Sequence, residues 1–184
     1  IGNSVSEASN YLQNDVVGIP TETVYGLAGN AFKPDIVARI FQVKSRPTFD
    51  PLIVHTHSVD AINAFAGPIP EPLLSLAHHF WPGPLTLLIP KKDIIPDIVT
   101  SGLPNVAVRI PNHPLTLALL QKTGFPLAAP SANPFGYISP TSALHVNNQL
   151  GSEIPYILDG GPCQVGLEST IVGLEDNQIT IYRL

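Results

Sequence analysis

Residues Asp15–Gly26 read DVVGIPTETVYG, an apolar run followed by a polar loop. The run Asp15–Ile19 is typical of a buried strand, and Pro20 ends it. The loop Pro20–Gly26 carries two threonines, a glutamate and a tyrosine. Loops at the strand ends of open α/β sheets line ligand crevices, because the sheet holds their ends in place. This stretch therefore predicts an α/β domain whose polar loops form its site.

The rest of the chain alternates segments of helical and strand character. Apolar residues at helical spacing predict helices at Ser4–Leu12, Pro34–Lys44, Val59–Phe65, Pro72–Phe80, His113–Lys122 and Thr141–Leu150. Short apolar runs predict further strands at Leu52–His55, Leu85–Ile89, Val106–Ile110, Leu127–Ala129, Tyr156–Leu158, Ser169–Val172 and Ile179–Tyr182. The alternation indicates an α/β fold, and the final run of strands favours a mixed sheet.

The composition limits the class of protein. The chain has 184 residues, of which 44% are hydrophobic, so we expect a single domain over residues 1–184. No apolar run reaches the roughly 18 to 20 residues of a membrane-spanning helix. The net charge of −5 opposes nucleic-acid binding through bulk electrostatics. The single cysteine, Cys163, cannot form an internal disulfide, which favours a reducing compartment, the cytoplasm.

The commonest signatures of phosphate and metal sites are missing from the sequence. Neither G-x-x-x-x-G-K-[ST] nor G-x-G-x-x-G occurs, and G-x-S-x-G and H-E-x-x-H are also absent. His55 and His57 share a strand face, but no third ligand stands at a diagnostic spacing. We therefore predict no protein metal site, and phosphate binding must depend on local positive charge.

Three further loops are similar to Pro20–Gly26 in their small hydroxyl and amide side chains. They are Pro130–Asn133, Ser139–Thr141 and Glu168–Thr170, each close to a predicted strand end. Turn chemistry and helix capping explain any one of them, and Thr141 stands where it could cap a helix. The occurrence of four such loops together favours a polar pocket.

Two basic residues stand in apolar strands, where a guanidinium is costly to bury. Arg109 lies in VAVRI and Arg183 in ITIYR, while Lys44 and Arg46 stand two apart at a predicted helix end. Arg109 must therefore pair with a carboxylate, reach solvent or await an anionic ligand. Two cations within about 4 Å of a phosphate would each contribute about 4 kcal/mol of gross Coulomb energy at an effective dielectric of about 20. Such a cluster could replace a phosphate-binding loop.

Eight motifs in order resemble those of a known family. They are Pro20–Leu27, Lys44–Pro47, Pro51–His55, Trp81–Thr86, Val106–Arg109, Ala129–Asn133, Ser139–Thr141 and Glu168–Thr170. Their order, with intact K-x-R and S-x-N pairs, is similar to the threonylcarbamoyl-AMP synthases with the YrdC-like fold, over residues 15–184. The resemblance implies an α/β fold with an open, twisted, mixed sheet flanked by helices and a central ligand cavity.

The resemblance also implies an activity, that of an L-threonylcarbamoyladenylate synthase, a nucleotidyltransferase. Such an enzyme joins L-threonine and bicarbonate or CO₂ to the AMP of ATP, with Mg²⁺, and releases pyrophosphate. Its product reaches a modified tRNA adenosine through downstream tRNA-modification proteins, so direct tRNA binding is expected to be weak.

The resemblance assigns roles by position. Lys44 and Arg46 are the implied catalytic residues, since they would offset charge on the transferring and leaving phosphates. The implied ATP contacts are Lys44, Arg46, Ser131, Asn133, Ser139 and Arg183. The implied threonine contacts are Thr21, His55, Arg109, Ser169 and Thr170. Arg109 suits the threonine carboxylate, because its planar fork favours bidentate recognition.

Asp50 departs from the family pattern, in which asparagine commonly precedes Pro-Leu-Ile-Val-His. A negative charge near a phosphate site is unfavourable unless it points away or helps to hold Mg²⁺, so the local ATP contact stays open. The chain has no methionine and ends directly after a predicted strand, so we expect it to be trimmed, and longer family members carry a second domain. Two alternative functions are another carbamoyl-adenylate chemistry on this fold and an RNA-binding module, which the acidic charge balance opposes.

Overall fold

Seven helices and eight strands make up the structure, a computed structural model that describes residues 1–184. The helices are α1 (Val5–Tyr11), α2 (Pro34–Lys44), α3 (Val59–Ile62), α4 (Glu71–Phe80), α5 (Asp97–Thr100), α6 (Pro114–Thr123) and α7 (Ala143–Leu150). The strands are β1 (Val17–Ile19), β2 (Gly26–Asn30), β3 (Ile53–His55), β4 (Leu85–Pro90), β5 (Asn105–Arg109), β6 (Leu127–Ala128), β7 (Thr170–Glu175) and β8 (Gln178–Arg183).

The helices begin and end where local chemistry favours it. Ser4 caps α1, since its side-chain oxygen accepts a hydrogen bond from a backbone N–H of the first turn. Helix α2 has Pro34 in its first turn and ends where Ser45 takes a left-handed conformation with φ of 51°. Its bounds are those predicted. Lys44 therefore lies in the last turn of α2, and Arg46 lies just beyond it.

All eight strands form one mixed sheet in the order β1-β2-β6-β3-β5-β4-β7-β8. The pairs β3·β5 and β4·β7 are parallel, and the other neighbouring pairs are antiparallel. The prediction of a mixed α/β sheet is confirmed. Strands β3, β5, β4 and β7 lie side by side although they come from distant parts of the chain.

The two faces of this sheet are covered differently. One face packs against α2, α4 and α7 through a cluster of 31 buried apolar residues, including Val54, Leu87 and Val108. The other face is covered at its β1-β2-β6 end by a second cluster of 11 residues, including Leu127, to which α1 and α6 contribute. At the β3-β5-β4-β7 end, this second face carries polar side chains instead. A site can therefore form there.

Strand β2 is absent from the sequence-based prediction, which treats its first residue as the end of a loop. Glycine and asparagine are unfavourable in strands, so local propensity gives no signal. The strand nevertheless pairs with β1 and β6. A side chain at Gly29 would collide with Ile36 and approach Ile40 of α2 closely. Glycine is needed here because α2 packs directly on the sheet.

Three smaller predictions are corrected. Tyr156–Leu158 makes only isolated bridges rather than a strand, because each of its partners contributes a single residue. Helix α3 ends at Ile62 instead of Phe65, since the following residues form turn hydrogen bonds from i to i−3. The third concerns α5, a helix missing from the prediction, because a single turn is too short to produce a periodic pattern. The longest helix has 11 residues, and none of the helices is long and apolar enough to cross a membrane.

Candidate active site

Strand register brings polar side chains to one level of the sheet. His55 on β3 pairs with Arg109 on β5, and Arg109 pairs in turn with Thr86 on β4. Thr86 pairs with Ile171 on β7, and Ile171 pairs with Arg183 on β8. Because paired residues on neighbouring strands point to the same face, these side chains form one row across the part of the face that the helices leave uncovered.

Four of the five residues of this row line a cavity of about 440 Å³: His55, Arg109, Ile171 and Arg183. That volume falls within the range of roughly 300 to 1,000 Å³ that is usual for small-molecule sites. Loops and apolar strand residues such as Leu88 and Ala107 complete its wall. The predicted site residues in the lining are Thr21, Arg46, His55, Arg109, Ser131, Ser169 and Arg183.

Lys44 lies beneath the Ser131–Asn133 loop and outside the cavity lining. It is buried, and its Nζ donates hydrogen bonds to the carbonyl oxygens of Ser131, at 2.5 Å, and Asn133. Asn133 donates from Nδ2 to the carbonyl oxygen of Tyr137 at 2.8 Å. Lys44 thus fixes the loop that presents Ser131 to the cavity.

Ser139 and Thr170 also lie outside the lining. Ser139 Oγ donates to Glu168 Oε1 at 3.0 Å, so it contacts a residue of the cavity wall. Thr170 begins β7, and Ser169 and Ile171 on either side of it line the cavity. Side chains alternate along a strand, which directs Thr170 to the opposite face.

Arg109 forms a buried ion pair with Glu22. Its Nη2 lies 2.7 Å from Glu22 Oε1, with side-chain exposures of 5% and 7%. The N–H direction misses that oxygen, so the contact is an ion pair without a hydrogen bond. Arg109 Nε donates to the carbonyl oxygen of Gly83 at 3.2 Å, and Glu22 Oε2 accepts from the backbone N–H of Asn112 at 3.0 Å. Of the alternatives for Arg109, the structure shows pairing with a carboxylate.

Arg46 is held by the loop that precedes β3. Its Nη2 lies 2.9 Å from Asp50 Oδ2. Nε donates to the backbone carbonyl of Asp50 at 3.2 Å, and Nη2 donates to that of Pro51 at 3.1 Å. All three residues line the cavity. The Asp50 carboxylate is therefore directed at Arg46 and offsets part of its charge.

Arg183 is held by the Glu168–Thr170 loop. Its Nη1 lies 2.5 Å from Glu168 Oε2, while Nε donates to the carbonyl oxygen of Ser169 at 2.9 Å. Nη2 donates to Ser169 Oγ at 3.2 Å. Each arginine in the cavity thus faces one carboxylate of this chain. An anionic ligand must compete with these carboxylates for the arginines.

The Pro20–Gly26 loop is a folded turn as well as part of the cavity wall. Thr21 Oγ1 donates to the carbonyl oxygen of Val24 at 2.7 Å and accepts from the backbone N–H groups of Thr23 and Val24, each at 3.2 Å. The Tyr25 hydroxyl donates to the carbonyl oxygen of Gly161 at 2.7 Å. Turn chemistry and pocket formation, considered as alternatives from the sequence, therefore apply to the same residues.

Burial changes the charge state of two site residues. Burial, together with the nearby charge of Arg46, lowers the pKa of Lys44 to about 7. Burial, and then the charge of Arg109, lowers the pKa of His55 to about 3. The His55 imidazole is thus neutral at physiological pH. Its Nδ1 is buried and has no hydrogen-bond partner.

Three side chains that hold this site have no role in the sequence-based prediction: Glu22, Thr86 and Glu168. All three lie within the recognised motifs, but spacing along the chain does not show which charges pair. The available signal was Arg109 itself, since an arginine in an apolar strand needs a carboxylate and Glu22 stands in a polar loop. No group of three or more His, Cys, Asp and Glu side chains that could hold a metal ion is present.

Fold and site together define a class of protein, an α/β domain whose mixed sheet carries arginines into a polar cavity. The chain belongs to the Sua5–YciO–YrdC family, whose model, described as telomere recombination, matches residues 10–184. It is 48% identical over 172 residues to the threonylcarbamoyl-AMP synthase of Bacillus subtilis, covering 93% of this chain and 50% of that protein. The synthase of Pyrococcus abyssi is 46% identical over 164 residues, with coverage of 89% and 48%. The chain spans about half the length of these curated relatives.

Solved structures agree with this assignment. The structure of P. abyssi Sua5 complexed with L-threonine matches with a TM-score of 0.95 at 41% identity, covering 100% of this chain and 56% of that one. E. coli YciO matches with a TM-score of 0.86 at 18% identity, covering 100% and 92%, and shows the fold alone. The expected fold of the family is confirmed.

Proposed function

We propose that this chain is the catalytic domain of an L-threonylcarbamoyladenylate synthase, a nucleotidyltransferase. It joins L-threonine and bicarbonate or CO₂ to the AMP of ATP and releases pyrophosphate. One observation carries the proposal: an arginine-lined cavity of about 440 Å³ in a chain that matches, over its whole length, a Sua5 protein complexed with L-threonine. The synthase names of relatives at 48% and 46% identity support it.

Arg109 binds the threonine carboxylate in this proposal, because a guanidinium offers two parallel N–H groups to a carboxylate. Glu22 and the Gly83 carbonyl hold the guanidinium in place at the cavity wall. His55 lines the same cavity and is neutral, so it adds no charge beside the amino acid. The proposed threonine contacts are Thr21, His55, Arg109 and Ser169; Thr170, which the resemblance also implied, points to the opposite face of β7 and is not proposed.

The phosphates of ATP bind on the side of Arg46 and Arg183. Near the site, four cations face three carboxylates, so the local balance favours an anion even though the whole chain is acidic. The proposed ATP contacts are Lys44, Arg46, Ser131, Asn133, Ser139 and Arg183. Lys44 acts from below the Ser131–Asn133 loop, whose carbonyl groups its Nζ now contacts.

The chemistry needs positioning and charge neutralisation rather than a covalent enzyme intermediate. The threonine amine adds to CO₂, or to bicarbonate with loss of water, and gives a carbamate. A carbamate oxygen then attacks the α-phosphorus of ATP, the bond to the β-phosphate oxygen breaks, and pyrophosphate leaves. Lys44 and Arg46 are the proposed catalytic residues, since they offset charge that develops on the phosphates.

Magnesium accompanies ATP in this proposal. Mg²⁺ in ATP sites is often held by one or two carboxylates together with the substrate phosphates. Asp50 fits that requirement, because its carboxylate lines the cavity and its side chain is 39% exposed. When bound, the ion would neutralise part of the phosphate charge.

The product acylates an adenosine of tRNA through downstream tRNA-modification proteins, with at most weak binding of tRNA by this chain. The net charge of −5 supports this assignment, since bulk electrostatics oppose RNA binding. A cytoplasmic location is proposed because Cys163 is a single free thiol, which is typical of a reducing compartment.

Pyrophosphate release from ATP and Mg²⁺ tests the proposal, with threonine and bicarbonate omitted one at a time. The expected result is release that requires both co-substrates and is lost in Lys44→Ala. Lys122→Ala is the matched control, since Lys122 is also in the last turn of a helix but is exposed and distant from the cavity lining. Release without threonine, or binding of RNA without ATP turnover, would overturn the assignment.

A further inference from the structure

Thr86 lies on β4 between Arg109 and Ile171 in the row of paired residues, yet it does not line the cavity. It is completely buried, with 0% exposure. Its Oγ1 lies 2.7 Å from Ser169 Oγ, and this is its only side-chain hydrogen bond. Ser169 is itself 1% exposed and lies in the cavity wall.

The direction of the hydrogen bond between Thr86 and Ser169 follows from counting protons. Either hydroxyl could donate. If Ser169 donated, the Thr86 proton would be buried with no acceptor, which carries the full desolvation cost of that group. If Thr86 donates, its proton has an acceptor, and the proton left over belongs to Ser169, which lines the cavity and can donate to a ligand there, whereas Thr86 does not line it. Thr86 is therefore the donor and Ser169 the acceptor.

Ser169 Oγ also accepts a hydrogen bond from Arg183 Nη2, at 3.2 Å. A hydroxyl oxygen has two lone pairs, so the bonds from Thr86 and Arg183 occupy both. The hydrogen-bonding capacity that Ser169 retains is the donation of its own proton. Arg109 is the register partner of Thr86 on the neighbouring strand, and Ser169 and Arg109 line the same cavity, so a ligand bound by Arg109 can accept that proton.

We propose that Thr86 is a positioning residue that makes Ser169 a hydrogen-bond donor to the carboxylate of the amino-acid substrate bound by Arg109. This inference rests on the proposed function and deepens it. The Thr86 hydroxyl never touches the substrate. It fixes the polarity of Ser169, so that this side chain recognises an acceptor such as a carboxylate oxygen and disfavours a donor such as an amine.

Substitution of Thr86 by valine and by serine tests the inference. Valine keeps the branched shape and removes the donor, so Thr86→Val should raise KM and Kd for threonine about tenfold while Kd for ATP changes less than about twofold. Thr86→Ser keeps the donor and should restore most of the threonine affinity. If Thr86 had a purely structural role, its substitution by valine would weaken the binding of threonine and ATP alike, and serine would not restore it. Thr56→Val is the control, since Thr56 is also buried but its side chain makes no hydrogen bond to a residue of the cavity wall.

A double variant adds a second test. Once Ser169→Ala has removed the acceptor, Thr86→Val should cause no further loss of threonine affinity. Thr86→Cys, with a weak S–H donor, should give an intermediate affinity and replaces the valine variant if that variant does not fold. Additive losses in the double variant, or unchanged threonine affinity in Thr86→Val, would overturn the inference.

Threonine binding measured by calorimetry separates this inference from the proposed function. If wild-type protein binds threonine but releases no pyrophosphate, the synthase reaction is contradicted. The threonine Kd values of the Thr86 variants would still test the inference about Thr86. Wild-type protein that binds no threonine would overturn both.

Discussion

Arg109 and Glu22 form an ion pair in the interior of the protein, with Nη2 2.7 Å from Oε1 and both side chains almost fully buried. The two residues come from different motifs, one on a central strand and the other in the loop after β1. Each side chain is also held by a hydrogen bond: Arg109 donates one to the Gly83 carbonyl, and Glu22 accepts one from the Asn112 N–H. The pair therefore fixes a guanidinium at the cavity wall while keeping it charged.

Removing the carboxylate of Glu22 should destabilise the fold. Glu22→Gln leaves the Arg109 charge buried without compensation, so we expect the free energy of unfolding to fall by about 3 kcal/mol. Urea denaturation at pH 7 measures this change. The control is Glu153→Gln, because Glu153 is exposed and its side chain has no ion pair.

The double variant Glu22→Gln/Arg109→Met should be more stable than Glu22→Gln alone, because it removes the uncompensated charge. A Glu22→Gln protein within about 0.5 kcal/mol of wild type would show that the ion pair does not hold the site.

Acid should destabilise the protein through His55. Its pKa is about 3 in the folded state and about 6.5 when unfolded, so the unfolded state binds more protons between these values. Stability is therefore retained above pH 6.5 and lost as the pH falls, by about 1.4 kcal/mol per pH unit. From pH 7 to pH 4.5 we expect His55 to account for about 3 kcal/mol.

Urea unfolding of wild type and His55→Gln at both pH values isolates this contribution. Glutamine does not titrate, so the variant should lose correspondingly less stability in acid. Equal losses in the two proteins would mean that His55 is not buried in its neutral form.

ATP affinity should fall as the pH rises above 7. Lys44 has a pKa of about 7 and must carry its proton to favour the phosphates, whose binding raises that pKa. Binding then takes up a proton, and affinity falls by up to about tenfold per pH unit above pH 7. Calorimetry at pH 6.5 to 8.5, in two buffers with different ionisation enthalpies, measures both the affinity and the proton uptake.

Lys44→Arg keeps its charge across this range, so its pH profile should be flatter than that of wild type. The titration of ATP itself is common to both proteins and cancels in the comparison. No proton uptake by wild type at pH 8 would contradict a charged Lys44 in the complex.

Asp50 should weaken nucleotide binding when Mg²⁺ is absent. Its carboxylate forms an ion pair with Arg46 at the cavity wall, so Asp50→Asn removes one negative charge beside the proposed phosphate position. Arg46 keeps its hydrogen bonds to two backbone carbonyls and so stays in place. We expect ATP to bind about fivefold more tightly, a modest effect because the pair is partly exposed.

A fluorescent ATP analogue in EDTA, titrated at two salt concentrations, measures this affinity. Asp97→Asn is the control, because Asp97 pairs with Lys91 at the surface and lies outside the cavity lining. Unchanged or weaker binding by Asp50→Asn would contradict the competition.

Local chemistry was sufficient to predict the helices and strands whose sequences carry a clear periodicity or a clear end signal. Helix α2 has proline at its start and an apolar face, and its bounds match the prediction. Strand β2 gave no such signal, because Gly29 is required by the close approach of α2 and the strand is stabilised by pairing on both sides. The site shows the same division. Arg109 and Ser169 were predicted from their motifs and line the cavity, whereas Thr86, which contacts Ser169, had no individual signal.

The sequence by itself determined the α/β class, most helix bounds to within two residues, the mixed sheet and the set of polar loops, because periodicity and turn chemistry act between neighbouring residues. It also limited Arg109 to a carboxylate partner, solvent or an anionic ligand. Only the tertiary structure decided which partner, since Glu22 and Arg109 meet through strand order and register rather than through spacing. Tertiary structure likewise put Lys44 beneath the loop and Thr170 outside the cavity lining, because burial and the alternation of side chains depend on what packs against each strand.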